Sequence, residues 1–158
     1  MKKNNFYVIL HNIRSAYNVG AIFRTADAVG VSKIYLSGYT PIPTDKFGRI
    51  RKDIAKTALG AEKNVPWEYY KQIGPLVAKL KKEKVYMIAL EQSEKSIDYR
   101  KVKTKENTAL VLGNEVRGVS KQILEKCDTV VEIPMKGKKE SLNVSVAAGV
   151  AMFELFGK

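Results

Sequence analysis

Five short runs of β-branched and aromatic residues recur along this chain: "FYVIL" at 6–10, "KIYLSG" at 33–38, "VYMIAL" at 85–90, "TALVLG" at 108–113 and "TVVEIP" at 129–134. Each has the length of a strand and is too apolar to leave a face in water. Between them lie stretches of helical periodicity at 18–29, roughly 50–59, roughly 68–83, 120–126 and 143–156. Strand and helix alternate, so the expected fold is α/β, a mostly parallel sheet with helices on both faces. "NVPWEY" at 64–69 offers a further short strand. No repeat or low-complexity linker divides the chain, and its length suits a single domain, 1–158.

In open parallel sheets ligands bind beyond the carboxyl ends of the strands. Three of the segments found there stand out: "HNIRSAYNVG" after the first run, "NEVRGVS" after the fourth and "MKGKKESLNVS" after the fifth. All three combine charged residues with Asn, Ser or Gly.

The first leads into a helix that Asn18 is placed to cap and Gly30 to end. Val19, Ile22, Phe23, Ala26 and Val29 form its core-facing stripe. Arg24 stands opposite with Gly20, Ala21, Asp27 and Ala28, a face short in side chains around one permanent cation. Two readings fit that face: a solvated arginine paired with Asp27 at i+3, or a surface that something approaches closely.

In the second segment Gly113 and Gly118 flank Asn114, Glu115 and Arg117. This is either a loop that brings its backbone close to a ligand or a turn ahead of a helix capped by Ser120. The third sets Lys136, Lys138 and Lys139 beside Ser141 and Asn143 at a helix mouth, a natural contact for an anion or nucleotide. The phosphate-loop pattern and the Gly-x-Gly-x-x-Gly fingerprint are both absent. "VSVAAGVAMFELF" is apolar nearly all round, as in a helix buried in the core or at a subunit interface.

Lys and Arg outnumber Asp and Glu by 28 to 16, a net charge of +12 spread along the chain. Such a surface attracts polyanions, RNA or DNA first and anionic membrane second. The loop "GYTPIPTDKFGRIRKD" at 38–53 supplies Lys46, Arg49 and Arg51, with Tyr39 and Phe47 for stacking on single-stranded nucleic acid; a mobile surface loop is the competing reading. One cysteine, Cys127, excludes an internal disulfide and suits a cytoplasmic setting. With His11 as the one histidine, no metal-ligand set is evident, and the N-terminal apolar run is too short for a signal peptide or membrane span.

Taken in order, "NIRSAYNVGAIFRTADAVGV", "LVLGNEVRGVS" and "IPMKGKKESLNVSVAAGVAMFEL" resemble the three signature motifs of the SpoU (TrmH-like) class of the SPOUT superfamily of RNA methyltransferases. The resemblance spans nearly the whole chain. It implies a homodimer that uses S-adenosylmethionine, without metal, to methylate a ribose 2′-hydroxyl of tRNA or rRNA, and a trefoil knot in the C-terminal part. By position, Leu90, Glu91, Gly113, Ile133, Pro134, Met135 and Leu142 would line the cofactor pocket. Asn18, Arg24, Glu115, Ser141 and Asn143 occupy the family's polar active-site positions. Lys46, Arg49, Arg51, Lys136, Lys138 and Lys139 are the expected RNA contacts, and no accessory RNA-binding domain is expected. A non-catalytic RNA-binding module and a base methyltransferase on the same fold are the alternatives.

Overall fold

A computed structural model describes residues 3–158. Seven strands form one sheet: β1 (Asn5–His11), β2 (Lys33–Ser37), β3 (Trp67–Tyr70), β4 (Tyr86–Leu90), β5 (Ile97–Asp98), β6 (Asn107–Leu112) and β7 (Thr129–Glu132). The helices are α1 (Ala16–Val29), α2 (Lys52–Ala58), α3 (Ala61–Asn64), α4 (Ile73–Lys82), α5 (Lys121–Lys126) and α6 (Val144–Phe156), with a short 3-10 turn at Tyr99–Lys101. The strand order is β3-β2-β1-β6-β4-β7-β5. Every pairing is parallel.

Both faces of the sheet are buried, which is why the strand runs lack polar alternation. Val8 and Leu10 of β1, with Ile34, Leu36, Leu110 and Leu112, pack beneath α1, α2 and α6. Ile9, Tyr35, Met87, Ala109 and Val111 meet Leu76, Val77 and Leu80 of α4 and Ile123 of α5 on the other side. Strand order runs outward in both directions from the β1–β6 pair. That switch point collects the loops after β1, β4, β6 and β7 at one end of the sheet.

Three local expectations are corrected. The expected helix at 68–83 begins only at Ile73, as α4; the short strand expected within 64–69 is present as β3, and its pairing beside β2 overrides the helical period from Glu68 to Tyr70. Ser15, not Asn18, caps α1. Its side chain accepts the Asn18 N–H at 3.2 Å, so the helix starts two residues earlier than Asn18 and its third residue is Asn18 itself. Gly20 does not belong to an open face. It is buried against α2, where an added Cβ would lie 2.1 Å from Thr57 Oγ1 and 2.3 Å from the Ile54 carbonyl oxygen. The short strand β5 has no counterpart in the sequence reading, its two residues giving no period to detect.

The other boundaries fall close to expectation. Gly30 ends α1 at φ 86°, and Ser120 and Asn143 cap α5 and α6. In α6, Ala148, Ala151, Met152, Leu155 and Phe156 are buried, and Phe156 stacks on Phe6 with ring centroids 4.5 Å apart. Val146, Val150 and Phe153 form a stripe on the opposite side at 51%, 37% and 53% exposure. The core accounts for only one face of this helix. No helix among the described residues is long and apolar enough to cross a membrane.

The α1–α2 contact yields a stability prediction. Gly20→Ala forces the α2 backbone away and should cost about 1–3 kcal/mol as an overpacking substitution, despite the better helix propensity of Ala. Urea denaturation checks it; an unchanged or raised midpoint would contradict the close approach.

Candidate active site

The β1–β6 pairing places the turn after His11 beside the turn after Leu112. In the second turn, Asn114 accepts the N–H groups of Val116 and Arg117 on Oδ1, both at 2.9 Å, and donates to the Asn12 carbonyl and the Tyr39 hydroxyl, both at 3.0 Å. Its full hydrogen-bonding capacity is thereby used. Gly118 closes the loop with φ 67°, and the Glu91 carboxylate sits where its side chain would be, accepting the Val119 N–H at 2.6 Å. Gly113 is equally constrained, since an added Cβ would lie 2.4 Å from the Gly118 carbonyl oxygen.

Glu115 projects from this loop onto the start of α1. Its carboxylate accepts the backbone N–H groups of Arg14, at 2.9 Å to Oε2, and Ser15, at 3.0 Å, together with Asn18 Nδ2 at 3.1 Å. Asn18 Oδ1 in turn accepts from Asn143 Nδ2 at 3.3 Å, while Asn143 Oδ1 caps α6 through the Ser145 N–H at 2.9 Å. One polar chain, Glu115–Asn18–Asn143, thus joins the three segments singled out in the sequence. Partial burial raises the Glu115 pKa, but the hydrogen bonds from Arg14, Ser15 and Asn18 outweigh it and hold the carboxyl below its ordinary value.

A cavity of about 290 Å³ opens at the carboxyl ends of β4, β6 and β7. Six of the seven expected pocket residues line it: Leu90, Glu91, Gly113, Ile133, Met135 and Leu142. Pro134 is the exception; it is exposed and its neighbours face the cavity in its place. Glu115 and Ser141 also reach the cavity, as do Gln92, Glu132 and Glu140, which the sequence reading did not single out. Gln92 Nε2 donates to the Glu140 carbonyl at 2.7 Å, tying the loop after β4 to the approach to α6. Only tertiary placement brings those two together, and no local pattern announces them.

Arg24 lies elsewhere. It is exposed on α1, outside the cavity lining, and among the described residues it makes no ion pair with Asp27 or any other group. In the 38–53 loop, Arg49 and Arg51 pair with Asp45 at 2.7 Å and Asp53 at 2.9 Å. Lys46 and Arg49 both lie 5.1 Å from the centroid of the Phe47 ring. A Thr44–Ile50 bridge and Asp45 bonds to the Phe47 and Arg49 N–H groups fold 44–50 into a compact turn. Lys136, Lys138 and Lys139 are exposed beside the cavity mouth. His11, at the end of β1, bonds Ser37 Oγ through Nδ1 at 2.8 Å, and burial pushes its pKa down. Among the described residues no cluster of His, Cys, Asp and Glu is arranged to hold a metal ion.

This architecture has known counterparts. The SpoU rRNA Methylase family profile matches residues 5–153. A Bacillus subtilis (strain 168) protein named for the TrmH family of tRNA/rRNA methyltransferases is 33% identical over 153 residues, covering 97% of this chain and 59% of its own length. Of solved structures, the A. aeolicus TrmH/SpoU tRNA modifying enzyme superposes with a TM-score of 0.82 at 33% identity, over 97% of this chain and 75% of that one. The AdoMet-bound rRNA methyltransferase from Sinorhizobium meliloti gives 0.85 at 27% identity, over 97% and 56%. The chain spans about 59% of the length of the Bacillus relative.

The lowered Glu115 pKa fixes the sign of a pH effect. Its contribution to stability is present above the ordinary carboxylate range and is lost as pH falls through the lowered value. Glu115→Gln should cost about 1 kcal/mol at pH 7, the low side for bonds to a charged group because this carboxylate is only partly buried. The difference between wild type and variant should shrink toward pH 3. Urea titrations at both pH values check this, and a pH-independent difference would contradict it.

Proposed function

The chain belongs to the SpoU rRNA Methylase family, and from that premise we propose that it transfers a methyl group from S-adenosylmethionine to a ribose 2′-hydroxyl of tRNA or rRNA. The observation that carries the reading is the Glu115–Asn18–Asn143 chain, which ties the first motif to the second and third, the two that line the cavity. The residues present fit the cofactor. Leu90, Leu112, Ile133 and Leu142 offer apolar walls to a flat nucleobase, and the carboxylates of Glu132 and Glu140 suit a cationic ligand. The volume falls at the small end of ordinary ligand pockets.

When bound, S-adenosylmethionine supplies a methyl group made electrophilic by the positive charge on its sulfur. The protein's part is to position the attacking hydroxyl and to stabilise the negative charge that grows on it. Arg24 is assigned to that oxyanion, because a guanidinium is a strong donor and a very poor proton acceptor. Glu115 acts as a positioning residue, its carboxylate already accepting the donors of the neighbouring loop. Asn18 and Asn143 brace Glu115 from behind the cavity wall as positioning residues, and Ser141 stands at the cavity rim. Lys46, Arg49, Arg51, Lys136, Lys138 and Lys139 make the approach positive. The pairs that Arg49 and Arg51 form with aspartates are exposed and weak enough for phosphates to displace.

We infer a homodimer in which Arg24 enters the partner's cavity. Arg24 is exposed and does not line the cavity of its own chain, and Thr25 beside it packs on Gly149 of α6, the helix that carries the uncovered Val146, Val150 and Phe153 stripe. A second copy would bury that stripe and bring Arg24 to a reacting ribose.

Two measurements test this. Calorimetry of the pure protein with S-adenosylmethionine should show binding, and labelled methyl transfer to RNA from a strain lacking the protein should yield a 2′-O-methylated nucleotide on digestion. A methylated base, or no transfer despite cofactor binding, would overturn the ribose assignment. For the shared site, Arg24→Ala and Asn143→Ala homodimers should each be inactive. Denaturing and mixing them in equal amounts should restore roughly a quarter of the sites, because half the dimers then carry both lesions in one site. A mixture that stays inactive would place Arg24 in its own chain's site.

A further inference from the structure

Next to the cavity, and sharing Asn114, Glu115, Val116 and Arg117 with it, lies a second hollow bounded by Arg14, Ser15 and Tyr39. We propose that this hollow is a base-stacking subsite for single-stranded RNA, holding the nucleobase that flanks the methyl acceptor against the Tyr39 ring, with its phosphates on Arg14 and Arg117. The proposal rests on the RNA-directed reading above and adds where the strand lies.

Tyr39 is 60% exposed, yet it is fixed at both ends. Asn114 Nδ2 holds its hydroxyl at 3.0 Å, and its backbone N–H donates to Asn12 Oδ1 at 3.1 Å. The neighbouring backbone is committed as well. Asn12 stands at φ 55° and Gly38 at φ 66°, and a Cβ on Gly38 would lie 1.9 Å from Asn12 Oδ1. An exposed aromatic ring locked this firmly has little conformational freedom to lose when a base stacks on it.

The charge of the hollow is suited to a phosphodiester. The guanidinium groups of Arg14 and Arg117 are exposed, and among the described residues neither makes a hydrogen bond or an ion pair. The one carboxylate of the hollow, Glu115, is turned to backbone N–H groups and Asn18. Two unpaired planar cations beside a fixed aromatic ring match the pattern that recognises unstacked nucleotides, with stacking for the base and planar donors for phosphate oxygens. Phe47, the other exposed aromatic of the 38–53 loop, differs in having two cations of its own against the ring.

The probe is a single-stranded oligouridylate carrying one 2-aminopurine, whose fluorescence falls on stacking, titrated with the whole protein in the absence of cofactor. Wild type should bind with quenching. Tyr39→Leu should bind about tenfold or more weakly and without quenching, while Tyr39→Phe, which keeps the ring, stays within about threefold of wild type. Arg14→Ala and Arg117→Ala should each reduce the slope of log affinity against log salt by about 0.7. Equal melting temperatures would establish that these surface variants are folded. Binding by Tyr39→Leu with unchanged affinity, binding by wild type without quenching, or no binding by wild type would each overturn the subsite. Because no methyl is transferred in this titration, failure here leaves the methyltransferase assay standing, and failure of that assay leaves the stacking result standing.

Discussion

The lateral pairing of β1 with β6 is the constraint on which this molecule turns. It joins strands about a hundred residues apart in sequence and aligns Leu10 with Leu112, so the turns that follow them emerge side by side. From that register alone, Glu115 comes within reach of the Arg14 and Ser15 N–H groups and Asn114 within reach of the Asn12 carbonyl. A slip of one residue would exchange the two faces of β1 and separate every one of these contacts. The site is therefore a product of sheet register, with the buried aliphatic side chains of both cores serving to hold that register.

The fold was legible because its signals are dense. Strand runs with no polar alternation call for burial on both faces, and each was found within a residue or two of its expected bounds. What misled was local. Around Trp67 to Tyr70 a strand pattern and a helical period overlap, and edge pairing decides for the strand; the capping role falls to Ser15, immediately before the apolar period, although Asn18 has an equally good capping side chain. The amide of Asn18 was instead taken by partners from both other motifs, which no reading of its own neighbourhood reveals. Gly20, read as part of an open face around Arg24, is closed off by α2 of the same chain, a contact that the periodicity of α1 alone does not contain. Of the residues marked by motif position for a cofactor pocket, all but Pro134 line the cavity, whereas Asn18, Arg24 and Asn143 lie outside its lining. Gln92 and Glu140 escaped because their pairing depends on loops that have no period.

The electrostatics divide by range. The excess of Lys and Arg over the whole surface draws a polyanion toward the chain from a distance of about a Debye length, and salt weakens that attraction. Within the cavity the balance reverses, with Glu91, Glu115, Glu132 and Glu140 against a single Arg117. The proposed RNA and the proposed cofactor thus meet opposite charge, the first on the positive exterior and the second in the carboxylate-rich cavity, with Arg117 at their common border.

The hold of Glu115 on Ser15 carries a consequence for how the chain acquires its structure. Helix α1 has a strong apolar stripe, yet its opening turn relies on a carboxylate separated from it by 100 residues, placed near the positive end of the helix dipole. The body of α1 can form on its own segment, with Ser15 capping it, but the N–H groups of Arg14 and of Ser15 itself have their acceptor only once β6 lies beside β1. The entry to the helix is thus held by the same contacts that assemble the site, and the two become ordered together.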